Sequence, residues 1–534
     1  MALKDMIYRL RTEEKLSQAR FAEIMGVSAQ AVQKWESGLS VPELDKLIKI
    51  AHRFGVSLDS LALDRDMRAE EELPYSRKIH LPFSVSGYEA YSAVLFAEYR
   101  QCTDEGLDVS CYKDLFAAAA KMPEDENKER ISDVLFDITL NASVKRDYKY
   151  TEPSEYSEIV KLCKPYDFPV KPFTEEELEK KLTGAWTGRA CGCLLGKPIE
   201  GIRTDELTPL LKRTGNYPMK RYILKSDLTE EMMADYKYGL GGKCYADTVD
   251  GMPVDDDTNY TVLAQQLVER YGRDFTSKDV MQLWLDSQTK NAYCTAERVA
   301  YCNFIKGYAP PASAIYKNPY REWIGAQIRG DYFGYINPGN PCEAAKQAFR
   351  DAYISHRKNG IYGEMFAAAM IACAAVTDCM EDIIRGGLAQ IPASSRLYEA
   401  IDKIQECKKS GVSANECFNR IHAEYDEFDS YDWCHTIPNA MIVAAALLYG
   451  EGDYGKSVCL AVQTGFDTDC NGATVGSVLG MRNGINGIGK DWTAPLKGKI
   501  NTSIFNMGSV NIDDCVKMTL KHIKKSDRLN RQNL

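Results

Sequence analysis

The 534-residue chain is predicted to be all-α: a small helical bundle at the N-terminus, then a large multi-helix domain. Three observations carry this. Apolar residues recur at helical spacing through most of the chain. Ser, Thr and Asp stand where these segments would begin, and Gly where several would end. From residue 173 onward no continuous alternation of apolar and polar residues marks a strand.

Composition narrows the classes. At 45% hydrophobic and 27% charged, the chain reads as an ordinary globular protein with length for two or three domains. No apolar run approaches the ~20 residues that cross a bilayer, and the start lacks a signal-peptide core. A cytoplasmic location and no membrane partner are therefore expected. The 17 cysteines show no Cys-x-x-Cys pairs, which points to reduced thiols rather than disulfides or zinc. Cys191 and Cys193 form the only close pair and read as small-residue packing. A net charge of -10 excludes a broad nucleic-acid surface, so any DNA contact must be local.

Residues 1–65 read as a separate module with helices at 7–11, 17–25, 28–35 and 42–54. Ser17 and Ser28 serve as N-caps, and Gly26 and Gly55 allow the chain to turn. Residues 66–172 read as a helical spacer or connector. An acidic stretch from Asp66 to Glu72 leads to Pro74 and Pro82, followed by helices at 88–101, 113–121 and 127–140. Residues 144–172, rich in Tyr, Lys and Pro, read as a connection. The third region, 173–534, opens with Thr174 capping Glu175-Glu176-Glu177. Further helices are expected at 278–287, 343–355, 362–379, 394–408, 414–424, 438–448 and 454–463.

Two ladders of glycine stand out in that third region. Gly184, Gly188, Gly192 and Gly196 are spaced four apart, as are Gly472, Gly476 and Gly480. Each glycine inside a helix costs about 1 kcal/mol relative to alanine, so two such ladders point to helix backbones in close approach. Arg189 and Lys197 rule out a membrane span for the first.

Two knots of carboxylates precede helical runs. Asp255-Asp256-Asp257 leads into Val262, Leu263, Leu267 and Val268, and Asp467-Thr468-Asp469 leads into Ala473, Val475 and Val478. One aspartate caps a helix; the surplus charge, if the knots converge, calls for protons or hard cations such as Mg²⁺, Mn²⁺ or Ca²⁺. An EF-hand is excluded, because its twelfth position would be Val478 where a glutamate is required. A phosphotransferase aspartate is disfavoured, because residues 460–465 make a poor strand.

Two resemblances follow. Leu16-Ser17-Gln18, Gly26-Val27-Ser28, Val32 and Lys34-Trp35-Glu36-Ser37-Gly38 resemble the Cro/repressor-type helix-turn-helix family. The resemblance implies that Gln30, Gln33 and Lys34 face bases or phosphates in the major groove, with Gln18 on the DNA backbone. Ten Lys and Arg against nine Asp and Glu in residues 1–65 make a weak monomeric binder, so a homodimer is expected to be needed. Docking onto another protein is the alternative for this module.

The first glycine ladder with Gly196-Lys197-Pro198-Ile199-Glu200-Gly201, then Asp255-Asp256-Asp257-Thr258, then Asp467-Thr468-Asp469-Cys470 with the second ladder, resemble the ADP-ribosylglycohydrolase family. That resemblance implies an all-α domain with two Mg²⁺ or Mn²⁺ ions that hydrolyses the bond between ADP-ribose and an acceptor. Asp255, Asp256, Asp257, Asp467 and Asp469 would be the metal ligands, and Glu200, Asp256 and Asp257 the catalytic carboxylates. His356, Asn359 and Tyr362 would lie near the substrate. Asp255 stands where the family usually has Thr, Cys470 where it usually has a hydroxyl residue, and Cys193 where many relatives have Asp. The aromatic and arginine-rich segment 316–331 reads either as an adenine and pyrophosphate site or as packed core. The expected function is a metal-dependent ADP-ribosyl hydrolase coupled to DNA binding. Two alternatives are a regulator that senses ADP-ribose without turnover, and an enzyme that its N-terminal module targets to modified DNA or DNA-bound proteins.

Overall fold

A computed structural model describes residues 3–56, 58, 61 and 87–532, with side chains as far as 524. The acidic stretch from Asp66 to Glu72, Pro74 and Pro82 lie outside the described residues. The chain divides into two compact units, 1–82 and 83–534.

In the first unit the helices are Leu3–Glu13, Gln18–Met25, Ala29–Ser37 and Leu44–Phe54. Ser17 Oγ accepts from Arg20 N and Ser28 Oγ from Ala31 N, each at 3.2 Å, so both expected caps are formed. Gly26, Gly38 and Gly55 end the last three helices in left-handed conformation. Ile7, Leu10, Phe21, Met25, Val32, Trp35 and Ile50 form the core. Arg11 is buried beneath it. Its guanidinium donates to Glu36 Oε1 at 2.5 Å and to the Leu16 carbonyl at 2.7 Å, which ties the first helix to the third.

The second unit is helical apart from one short antiparallel pair, Lys499–Asn501 with Ser509–Asn511, that the residue pattern did not reveal. Thr174 and Glu177 close a reciprocal capping box, and the helix then runs unbroken through Glu175–Gly196. It packs antiparallel on Thr468–Asn483 through the two glycine ladders. A Cβ on Gly184, Gly188 or Gly192 would fall within 3.0 Å of the carbonyl oxygen of Gly480, Gly476 or Gly472 respectively, closer than real Cβ atoms come. Asn359–Ala374 and Thr436–Tyr449 are buried along their whole lengths and form the centre. Helices at Thr204–Arg213, Thr295–Ile305, Met380–Leu388 and Ile512–Gln532 were not expected. Among the described residues no helix is long and apolar enough to cross a membrane.

Residues 87–172, read from the sequence as a spacer, are built into this second unit by buried ion pairs. Arg321 donates to Glu98 Oε1 at 3.0 Å and Glu105 Oε1 at 2.6 Å, and Arg396 pairs with Glu152 at 2.9 Å. Charges withdrawn from water must be paired in this way, so the contacts hold the segment in place. Only one short helix, Tyr156–Leu162, interrupts the expected connection over 144–172.

Candidate metal centre

The glycine contact sets the position of the site. Because the two laddered helices run antiparallel, the end of one meets the start of the other, and Gly196 lies against the backbone of Thr468 and Asp469. Thr468 Oγ1 donates to the Gly196 carbonyl at 3.0 Å. The turn carrying Lys197 and Glu200 is thereby held beside Asp467 and Asp469. Just before that helix, Gly465 and the buried Phe466 have φ of +80° and +57°. The second value is unfavourable for a residue with a side chain.

Asp255 is the N-cap of Asp256–Tyr271 and accepts from Asp257 N at 2.9 Å, so capping accounts for one of the three consecutive aspartates. Asp257 is fully buried, and its Oδ1 accepts from Arg189 Nη2 at 3.0 Å. Arg189 also donates to the Asp257 carbonyl, to Asp331 Oδ2 at 2.6 Å and to the Ile328 carbonyl. Lys197 Nζ pairs with Asp255 Oδ2. Asp467, although first in line at its helix, makes no capping bond; its Oδ1 is buried without a hydrogen-bond partner, and its Oδ2 accepts from Cys434 Sγ at 3.4 Å.

Side-chain ligand atoms of Cys193, Asp255, Asp257 and Asp469 lie within 4.8 Å of one another, as do those of Asp467, Asp469 and Cys470. Asp469 belongs to both groups. Burial first, and then the neighbouring carboxylates, push the carboxyls of Asp256 and Asp469 well above the usual carboxylate range. Glu200 is pushed up to about 7 by loss of solvent and by the charges of Asp467 and Asp255. Its side chain nevertheless keeps contact with solvent. Tyr238 donates to the Glu200 carbonyl at 2.8 Å, and Arg203 lies 4.7 Å over the Trp433 ring nearby in sequence to Cys434. The oxygen-rich donors and the orphaned Asp467 Oδ1 fit a hard divalent cation. The thiols of Cys193 and Cys470 do not add hard ligands.

Three expected substrate residues face inward instead. His356 is fully buried, with Nδ1 at 2.8 Å from Ser355 Oγ and Nε2 at 3.9 Å from Glu297. Burial and the nearby Arg329 hold it neutral. Asn359 donates to Glu152 at 2.8 Å and Glu322 at 2.9 Å and accepts from Leu397 N, while Tyr362 donates to the Pro153 carbonyl. The polar atoms of Asn359 and Tyr362 are spent within the protein, whereas His356 Nε2 is buried without a hydrogen-bond partner. In segment 316–331, Tyr320, Trp323 and Ile324 are core, and Arg321 and Arg329 are buried against carboxylates, which matches the packed-core alternative. Arg189, Lys197 and Cys434 also belong to the site, though the sequence assigned them no role in it. An arginine within the glycine ladder was the one available signal, since that helix face had to be buried.

In the N-terminal unit, Gln30, Gln33 and Lys34 are exposed together on Ala29–Ser37. The Gln18 amide donates to Glu36 Oε2 at 2.6 Å.

Comparison with known proteins gives two family matches: ADP-ribosylglycohydrolase over residues 174–518 and helix-turn-helix over residues 7–61. The chain is 38% identical over 61 residues to the HTH-type transcriptional activator BcrR of Enterococcus faecalis, covering 11% of this chain and 30% of that protein. It is 33% identical over 61 residues to the cryptic phage CTXphi transcriptional repressor RstR of Vibrio cholerae serotype O1, covering 11% of this chain and 54% of that protein. The match thus spans about half or less of the length of these curated relatives. A solved ADP-ribosylglycohydrolase-related protein complex has 18% identity and a TM-score of 0.37, with 65% of this chain and 99% of that chain covered.

Proposed function

The chain belongs to the ADP-ribosylglycohydrolase family, and from that premise we propose that it is a metal-dependent hydrolase of the glycosidic bond joining ADP-ribose to an acceptor, coupled to DNA binding. The observation that carries this is that the ligand atoms of Asp469 cluster both with those of Asp467 and, from a helix start more than two hundred residues away, with those of Asp255 and Asp257.

Asp467 and Asp469 are proposed as the principal holders of a divalent ion, Mg²⁺ or Mn²⁺, with Asp255, Asp256 and Asp257 around them. When bound, such an ion supplies charge stabilisation at ribose hydroxyls and lowers the pKa of a bound water. Glu200 is the solvent-reaching carboxylate of the group and is proposed to take the proton from the attacking water. Asp256, half-buried, stands behind it. Asp257, clamped by Arg189, keeps the first turn of its helix in position. Positive charge that develops on the ribose ring as the bond breaks is stabilised by these carboxylates.

The testing experiment measures free ADP-ribose released by the full-length protein from ADP-ribosylated arginine peptide and from ADP-ribosylated nucleic acid. Release with Mg²⁺ or Mn²⁺, abolished by chelation, is the expected outcome, and the active substrate identifies the acceptor. Tight ADP-ribose binding with no release from either substrate would instead favour a regulator that senses the nucleotide.

For the N-terminal unit, duplex DNA is the proposed partner, through Gln30, Gln33 and Lys34 and the helix start at Gln18. Pairing of two chains would supply the affinity that the near-neutral module lacks. Lys34→Ala is expected to weaken binding on all DNA sequences and to reduce the salt slope by about 1. An unchanged slope in a salt titration of DNA binding would remove Lys34 from the interface.

A further inference from the structure

The two groups of carboxylates differ in what already neutralises them. In the first, Asp255 Oδ1 accepts from Asp257 N and Asp255 Oδ2 pairs with Lys197 Nζ. Asp257 Oδ1 accepts from Arg189, whose guanidinium also grips the Asp257 carbonyl. Asp255 and Asp257 are thus each paired with a fixed cation, Arg189 being shared with Asp331. The remaining side chain that belongs to this group alone is the Cys193 thiol, whose Sγ lies 3.9 Å from Asp257 Oδ2, and a thiol is a poor ligand for a hard ion.

The second group is touched by cations only at longer range, through Lys197 near Asp469 and Arg203 near Asp467. Among the described residues neither Asp467 nor Asp469 has a cationic partner. Among the described residues Asp467 Oδ1 is buried without a hydrogen-bond partner, and Asp469 Oδ1 accepts from the neighbouring Cys470 N at 3.1 Å. Lys197 is also held at its position. The preceding Gly196 is wedged against Thr468 and Asp469, the following Pro198 has a fixed φ, and the lysine side chain is only 19% exposed.

We propose that the Lys197 ammonium is a built-in cation of this centre, so that the chain takes one divalent ion, at Asp467 and Asp469, where the family resemblance implies two. A second dication at Asp255 and Asp257 would have to displace the ammonium and then stand beside it and Arg189, with like charges repelling at close range. The proposal rests on the metal-dependent reading above and concerns what fills the centre.

The test counts Mn²⁺ bound to the full-length protein by equilibrium dialysis with elemental analysis, and records the electron paramagnetic resonance spectrum. Wild type is expected to hold one Mn²⁺ per chain with the six-line spectrum of an isolated ion. Lys197→Met is expected to hold two, with the spectrum broadened by the second ion, and Lys197→Arg to remain at one. Two ions in the wild type, or one in a folded Lys197→Met, would overturn the proposal; the wild-type count decides even if Lys197→Met fails to fold. No Mn²⁺ at all would overturn both this proposal and the metal dependence of the hydrolase. One Mn²⁺ without release of ADP-ribose would support the single-ion centre and sink only the hydrolytic reading.

Discussion

Asp469→Asn is expected to lower the rate of ADP-ribose release about a thousandfold, since several kcal/mol of charge stabilisation go with the ion that Asp469 helps to hold. Asp469 is the sharpest choice because it alone contributes to both groups of ligand atoms. Asparagine keeps its size and can still accept from Cys470 N through Oδ1, so the local hydrogen bond survives. The variant removes a buried negative charge that burial and Glu200, Asp255 and Asp467 all disfavour. Its metal-free form should therefore unfold at the same temperature as the wild type or higher, while added Mn²⁺ should raise that temperature less. The two readings together separate loss of the site from loss of the fold. Turnover within tenfold of wild type would show that Asp469 does not hold the ion.

The largest effect on stability is expected at the glycine ladder. Replacing a glycine by alanine inside an exposed helix gains about 1 kcal/mol. Gly192→Ala should do the reverse, because the new Cβ would fall within 3.0 Å of the Gly472 carbonyl and Gly472 reciprocally crowds Gly192. Both sides of the contact are backbone, so no rotamer change relieves it and the helices must separate. Overpacking of this kind costs about 1–3 kcal/mol where side chains can yield, and the cost should be at the upper end or beyond where they cannot. Urea unfolding of the second unit should show the loss, with Gly192→Val worse than Gly192→Ala. Separation of the helices would also draw Gly196 away from Thr468, so metal affinity should fall together with stability. An unchanged unfolding midpoint for Gly192→Ala would mean that the helices are not in contact there.

Much of the architecture was legible in the residues. The caps at Ser17, Ser28 and Thr174 form as expected, and the helices Ala414–Glu424 and Tyr454–Gln463 begin and end where the pattern placed them. These features depend on interactions within one or two helical turns, so neighbouring residues encode them. The paired glycine ladders were legible for a related reason. Their matching four-residue spacing is a statement about two surfaces, and few arrangements other than close backbone contact explain it.

The amino-acid sequence by itself therefore determined the helices, their caps, the two ladders and the surplus aspartates. Tertiary structure alone decided which charge meets which. Arg321 finds Glu98 from 223 residues away, which makes part of the molecule out of a segment that looked like a spacer. Asn359 and Tyr362, polar residues that sequence placed at the substrate, are turned into the core because Glu152, Glu322 and Pro153 wait there. Lys197 and Arg189 reach Asp255 and Asp257 in the same way, from 58 and 68 residues away along the chain. Ion pairs act through space and are strongest where water is excluded, and neither the separation nor the exclusion exists until the chain is folded.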